Sequence, residues 1–209
     1  MAQRSKTDPL SRRGATGLQW VTRPQLAVIA EYAQKHLQLS TKFALCHGAR
    51  SGREAVWFRE LLPNEQVWGT ELSPVAARSA PWTMQGDFHD ERPEWVGAAD
   101  FVYCNALDHS YNASLAITRW MQQVHTKGAT IIQWSNFHER KDHGPAAVDI
   151  FSATRREMVQ LICSLPSRYS LFILTLPKGA TFSGRSNEHA YVVTHTGSNR
   201  TRGECGQRT

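Results

Sequence analysis

Apolar residues fall along the chain in two patterns: short runs of three to eight, and longer stretches where they recur every three or four positions. The short runs predict seven strands, at Phe43 to His47, Gln66 to Thr70, Thr83 to Gln85, Asp100 to Asn105, Ala129 to Trp134, Tyr169 to Leu176 and His189 to Thr196. Helical spacing starts at Pro24, a residue suited to a first helical turn, and continues through Leu26, Ile29, Ala30, Ala33 and Leu37, giving a helix expected to cover the first strand. Further helical patterns lie at Arg53 to Leu61, Pro74 to Ser79, Ala113 to Val124 and Thr154 to Leu165. Strands alternating with helices predict a parallel sheet with crossover helices on both faces. The last connection differs. Pro177 to Asn187 holds Gly, Ser and Asn without helical periodicity, so it reads as a loop joining an antiparallel terminal pair. Trp57, Trp68, Trp120 and Trp134 are expected to cover the sheet, and Phe172, Ile173 and Leu174 to be buried strand core.

With 209 residues and 41% hydrophobic content, the chain can bury one sizeable core. The pattern divides it into a basic flexible arm at 1–23, a folded domain at 24–196 and a polar basic tail at 197–209. Charge agrees with this division. The net charge is +6, yet residues 1–23 carry five basic groups and one acidic, residues 197–209 three and one, and these ends account for the whole excess. The domain is therefore neutral overall, and a nucleic-acid or other polyanion contact is expected only through the basic termini or a local stripe. Solvated tails are the alternative. No run reaches the roughly 18 apolar residues of a membrane span, and the first 20 residues lack the apolar core of a secretory leader. Cys46, Cys104, Cys163 and Cys205 have no CxxC spacing, so reduced thiols in a cytoplasmic compartment are expected.

The candidate chemistry starts where the first strand meets its helix, at Phe43-Ala-Leu-Cys-His-Gly48-Ala-Arg50-Ser-Gly52-Arg-Glu. Gly48 lets a ligand approach the backbone, and Gly52 turns the chain into a helix whose free amides face the carboxyl edge of the sheet. Simple turn geometry is the competing explanation. The second strand runs into Glu71-Leu72, about twenty residues beyond the loop, where a carboxylate can accept both hydrogen bonds of a ribose diol or instead cap the next helix, opened by Ser73 or Pro74. Asp87 and Phe88, in Met84-Gln-Gly86-Asp87-Phe88, could offer adenine a polar contact and an aromatic wall; a solvated turn is the alternative for Asp87.

Taken in order, CHGARSG, VWGTELS, GDFHD and the segment Asp100-Phe-Val-Tyr-Cys-Asn105-Ala-Leu-Asp108-His109-Ser-Tyr111 resemble the class I S-adenosylmethionine-dependent methyltransferases, in particular a methyltransferase-like group with a Cys-His-Gly-x-Arg-x-Gly first loop. The resemblance spans roughly residues 40–196. It implies a Rossmann-like α/β fold with a seven-stranded, mostly parallel sheet in the order 3-2-1-4-5-7-6. It also implies S-adenosyl-L-methionine as cofactor, with Gly48 and Gly52 near its amino-acid portion, Glu71 at the ribose hydroxyls, Asp87 near adenine, Arg50, Leu72 and Phe88 among the residues around it, and Asn105 at the ligand or the acceptor. Two positions depart from the family pattern: Cys46 stands where an acidic residue is common, and Arg50 replaces the usual middle glycine. A nicotinamide dinucleotide site is disfavoured because the loop lacks G-x-G-x-x-G.

Methyl transfer needs alignment of a nucleophile with the methyl carbon and a base only for some acceptors. His109 is the leading base, with Asp108 as its orienter; a loop-stabilising cluster is the alternative. Ser135, Asn136, Phe137, His138, Glu139, Asp142 and His143 follow the fifth strand and suit an acceptor pocket, and no compact metal signature is present. Asn105 is not followed by Pro-Pro-aromatic and no Pro-Cys occurs, which disfavours two DNA-modifying classes. The expected function is methyl transfer to an unidentified acceptor, RNA or a small metabolite. A catalytically silent module of the same fold, contacting a polyanion, is the rival.

Overall fold

The computed structural model describes residues 20–139, 150–167, 169–178 and 187–196, with the backbone alone at Asn136, Phe137, Asn187 and Glu188. In chain order the elements are α1 (Arg23–His36), β1 (Phe43–His47), α2 (Arg53–Leu61), β2 (Gln66–Glu71), α3 (Pro74–Ser79), β3 (Thr83–Gln85), β4 (Ala99–Cys104), α4 (Ala113–Gln123), β5 (Val124–Ser135), α5 (Arg155–Cys163), β6 (Tyr169–Thr175) and β7 (Asn187–His195). Successive side chains of a strand point to opposite faces, and here both faces are apolar. Leu45, Val102, Ile132 and Trp134 join Ile117 and Trp120 of α4 and Met158 and Ile162 of α5 in one layer. Ala44, Cys46, Phe101, Tyr103 and Ile131 join Leu26 and Ile29 of α1 and Phe58 of α2 in the other.

The sheet has the order β3-β2-β1-β4-β5-β7-β6, as the resemblance implies. Strands β1 to β5 are parallel, and β7 runs antiparallel to both β5 and β6. The order reverses direction between β1 and β4, so a crevice opens above their carboxyl ends. Most element ends move by a residue or two from those expected. The larger difference is β5, which begins at Val124 rather than Ala129, because α4 stops at Gln123 and the chain enters the strand with no intervening loop.

Two expectations change. Phe172 is 47% exposed because β6 is the sheet's edge strand, with Ile173 and Leu174 half-buried. Cys163 is disulfide-bonded; it lies exposed at the end of α5, where a thiol is open to oxidation, so the expectation of four reduced thiols does not hold. Of the expected arm, residues 20–23 are described: Val21 is buried, Thr22 caps α1 and Arg23 opens it. Residues 1–19 and 197–209, which hold most of the terminal basic groups, lie outside the described residues. Among the described residues, no helix is long and apolar enough to cross a membrane.

Buried polar groups tie the layers together. His47, at the end of β1, bonds Thr70 Oγ1 of β2 through Nδ1 (2.8 Å) and Gln123 Oε1 of α4 through Nε2 (2.7 Å), with its ring against Trp120. The amide oxygen can only accept, so Nε2–H donates and the Thr70 hydroxyl donates to Nδ1. At the opposite edge, Asp100 accepts the backbone amides of Ser40, Thr41 and Lys42 and the His125 ring. Burial alone would push the Asp100 carboxyl up, but these donors hold it below its ordinary value.

Burial lowers the pKa of His47 to about 4, and burial together with Asp100 raises that of Glu65 to about 7. The two act in opposite directions. A neutral folded His47 contributes stability in full above about 6.5 that is lost as pH falls toward 4, roughly 3 kcal/mol in all. A protonated folded Glu65 contributes stability below about 4.5 that is lost as pH rises through 7. The difference in unfolding free energy between wild type and His47→Asn, measured by urea titration, is therefore expected to grow from pH 4 to 6.5. A flat difference would contradict a buried neutral His47.

Candidate active site

The turn after β1 uses three residues in the left-handed region: Gly48 at φ 68°, Arg50 at 43° and Gly52 at 69°. A non-glycine residue is held there only when its surroundings over-determine it, and here the constraint is visible. The Arg50 amide donates to Glu71 Oε2 at 2.8 Å, the Ser73 amide donates to Glu71 Oε1 at 3.0 Å, and the Ala49 amide donates to the Thr70 carbonyl. Both carboxylate oxygens of Glu71 thus bind backbone, which fixes the side chain toward the glycine loop. Each oxygen keeps a lone pair for a further donor. Helix α3 is capped by the Ser73 hydroxyl, which accepts from the Ala76 amide, while Glu71 Oε1 takes the amide of the cap residue itself, so Glu71 serves the loop and the helix start together.

The remaining expected cofactor residues gather on the same rim. The Gly86 amide donates to the Glu71 carbonyl, which places Asp87 and Phe88 beside the end of β2. Leu72 is 39% exposed, while Phe88 is half-buried against His47 and Trp120. Asn105 directly follows β4. Its neighbour Ala106 closes on Gly48: a Cβ at Gly48 would lie 2.5 Å from the Ala106 Cβ and 3.9 Å from the Phe88 ring. The Cβ side of Gly48 is therefore filled by Ala106. Gly52 is likewise hemmed in by the Pro81 carbonyl and the Thr83 hydroxyl, each 2.8 Å from a built Cβ. Cavities of about 130 Å³ beside Tyr32 and Phe172 and about 370 Å³ beside Leu37 and Glu65 both lie away from this rim.

Asp108 and His109 occupy a 3-10 turn just beyond Ala106. Asp108 is buried, and its Oδ2 lies 3.6 Å from His109 Nε2 and equally far from His138 Nε2. At 3.6 Å both contacts are too long for hydrogen bonds. Oδ1 is buried without a hydrogen-bond partner among the described residues. The His109 side chain is 44% exposed. His138, expected to line an acceptor pocket, shares the Asp108 carboxylate. Asp142 and His143 lie outside the described residues.

Sequence reasoning missed a second relay. Asp87 Oδ1 sits 2.6 Å from His89 Nδ1, and His89 Nε2 sits 2.8 Å from Ser110 Oγ. The ring is buried under Tyr111, with centroids 3.8 Å apart. Asp87 is thus no isolated solvated carboxylate: it orients His89, which locks the β3 loop to the turn before α4. The Asp-x-His spacing was the only available signal. Burial pushes the Cys46 and Cys104 thiols well up, which keeps them protonated and agrees with a packing role. Among the described residues, no group of three or more His, Cys, Asp or Glu can hold a metal ion.

No protein-family model matches the chain, and no curated protein matches its sequence. Solved structures do match its fold. The sugar N-methyltransferase KedS8 from Streptoalloteichus superposes with a TM-score of 0.61 at 14% identity, over 89% of this chain and 91% of that one. A SAM-dependent methyltransferase from Aquifex aeolicus gives 0.53 at 12%, over 81% and 90%. A geranyl diphosphate methyltransferase in complex with SAM gives 0.56 at 12%, over 81% and 84%. At such identities the likeness establishes the architecture: this chain has the Rossmann-like fold that these methyltransferases share.

The crowding at Gly48 is directly measurable. Gly48→Ala is expected to cost about 2–5 kcal/mol, left-handed strain plus the Ala106 contact. Gly97, at φ 64° with nothing within 4 Å of a built Cβ, isolates the strain, so Gly97→Ala is expected to cost only about 1–2 kcal/mol. Equal losses in denaturant titration would contradict the close approach.

Proposed function

We propose that the chain is an S-adenosylmethionine-dependent methyltransferase acting on a nucleophilic acceptor, RNA or a small metabolite. The observation that carries this reading is the carboxylate of Glu71, held at the loop by the Arg50 amide at 2.8 Å with acceptor capacity remaining. A nucleoside's vicinal hydroxyls are the donors such a group suits. The residues present fit the cofactor: Glu71 receives the ribose hydroxyls, Leu72 and Phe88 flank the adenine, and Asp87 keeps its second oxygen for a polar contact. Gly48 and Gly52 shape the backbone beneath the amino-acid portion, Arg50 sets the loop's bend, and Asn105 stands on the β4 side, toward the acceptor.

When bound, S-adenosylmethionine supplies an electrophilic methyl group on a sulfonium and leaves as the thioether. The chain's own contribution is alignment, exclusion of water and, for acceptors that must lose a proton, a base. His109 fills that last role, exposed enough to meet an acceptor and backed by the Asp108 carboxylate, which favours the imidazolium that forms. His138 shares the same carboxylate from the β5 side and narrows where the acceptor can sit.

Isothermal titration of the full chain with S-adenosylhomocysteine tests the cofactor reading. Wild type is expected to bind, and Glu71→Ala to weaken binding by roughly ten- to a hundredfold, the loss of hydrogen bonds to a charged acceptor. No binding by the wild-type chain would overturn the reading and leave the silent polyanion-binding module.

A further inference from the structure

The two edges of the sheet are built differently. At one, β3 is only three residues long, which leaves little backbone for another strand to pair with. At the other, β6 runs for seven residues, Tyr169-Ser-Leu-Phe172-Ile-Leu-Thr175, with no charged residue and no proline. Its register with β7 is unbroken from Tyr169–His195 to Thr175–His189, so no bulge twists its outer side away. Among the described residues, no strand pairs with that outer side. Charge, proline and bulges are what keep a sheet edge from pairing with another chain, and β6 carries none of them. Beside the edge, an exposed ring stands next to a recess. Phe172 and Leu174 face α1: Phe172 stacks on Tyr32 with centroids 5.7 Å apart, and Leu174 packs in the α1 layer. Phe172 nevertheless stays 47% exposed. Two positions earlier on the same face, the small Ser170 borders a cavity of about 130 Å³ walled by Tyr32, His36, Val192 and Thr194. That is close to the ~150 Å³ that holds a benzene ring.

We propose that β6 is the interface with a second copy of this chain, the two β6 strands pairing antiparallel about a two-fold axis at Leu171. Residues directly opposite in an antiparallel pair share a face, so an axis at Leu171 sets Phe172 of each copy opposite Ser170 of the other. The exposed ring of one chain then enters the recess of its partner, and the two-fold repeats the contact. Ring and recess lie on one surface, two residues apart, which is the self-complementary arrangement that an isologous dimer needs. The terminal segments 1–19 and 197–209 hold no aromatic side chain to fill the recess. The candidate active site, at the ends of β1, β2 and β4, takes no part in this contact, so the proposal stands apart from the cofactor reading.

Sedimentation equilibrium of the full chain tests it. At tens of micromolar, wild type is expected at twice the mass of one chain. Phe172→Lys, which would carry an ammonium group into the partner's recess, is expected to weaken association about tenfold or more and to shift the population toward the monomer. Ser170→Lys, which fills the recess itself, is expected to cause the same loss and serves if Phe172→Lys does not fold. Wild-type chain that stays monomeric at these concentrations would overturn the proposal, since the edge is then open or covered by the chain's own segments. A dimer that survives both substitutions would also overturn it, because the copies then meet through another face or a cystine link.

Discussion

A single carboxylate organises the carboxyl edge of the sheet. Glu71 is the last residue of β2, and its two oxygens accept one amide from the turn after β1 and one from the start of α3. Without those acceptors the Arg50 amide would be left unpaired in a turn that already holds a non-glycine residue at φ 43°. The same bonds that relieve this strain aim the carboxylate at the loop. Under the proposed cofactor reading, structural and binding demands fall on the same atoms.

Around that point the rim is built from short-range links between strand ends. The Gly86 amide joins β3 to β2, the Ala106 methyl closes over Gly48, and the Asp87–His89–Ser110 relay ties the β3 loop to the turn before α4. His47 performs the same service one layer deeper, joining β1, β2 and α4 through its two ring nitrogens. Every parallel strand delivers its last residue to this edge, so the topology concentrates polar groups here while the faces below remain apolar.

Period and punctuation made most of the fold legible. Central strands apolar on both faces and amphipathic crossover helices leave an unambiguous alternation, and the loop at Pro177 to Asn187 marks the reversal of direction. Where periodicity is silent, reading the sequence went astray. The α4–β5 junction has no glycine or proline to mark it, so the early start of β5 at Val124 was invisible. Phe172 was read as core because an edge strand and a central strand have the same apolar composition; only the sheet order separates them. The meeting of the Gly48–Gly52 loop with Glu71 at one edge was legible because strand, loop and carboxylate follow in a regular order. Partners remote in sequence were not: Gln123 lies 76 residues from His47, and nothing local announces that His138 shares the Asp108 carboxylate.

The account depends on the Glu71 carboxylate serving the loop and a nucleoside at once. A crystal structure of the full chain with S-adenosylhomocysteine tests this most directly. The account predicts both ribose hydroxyls within hydrogen-bond distance of Glu71, with its bond from the Arg50 amide intact. A ligand seated elsewhere, or a Glu71 that must release the loop to admit it, would contradict the account.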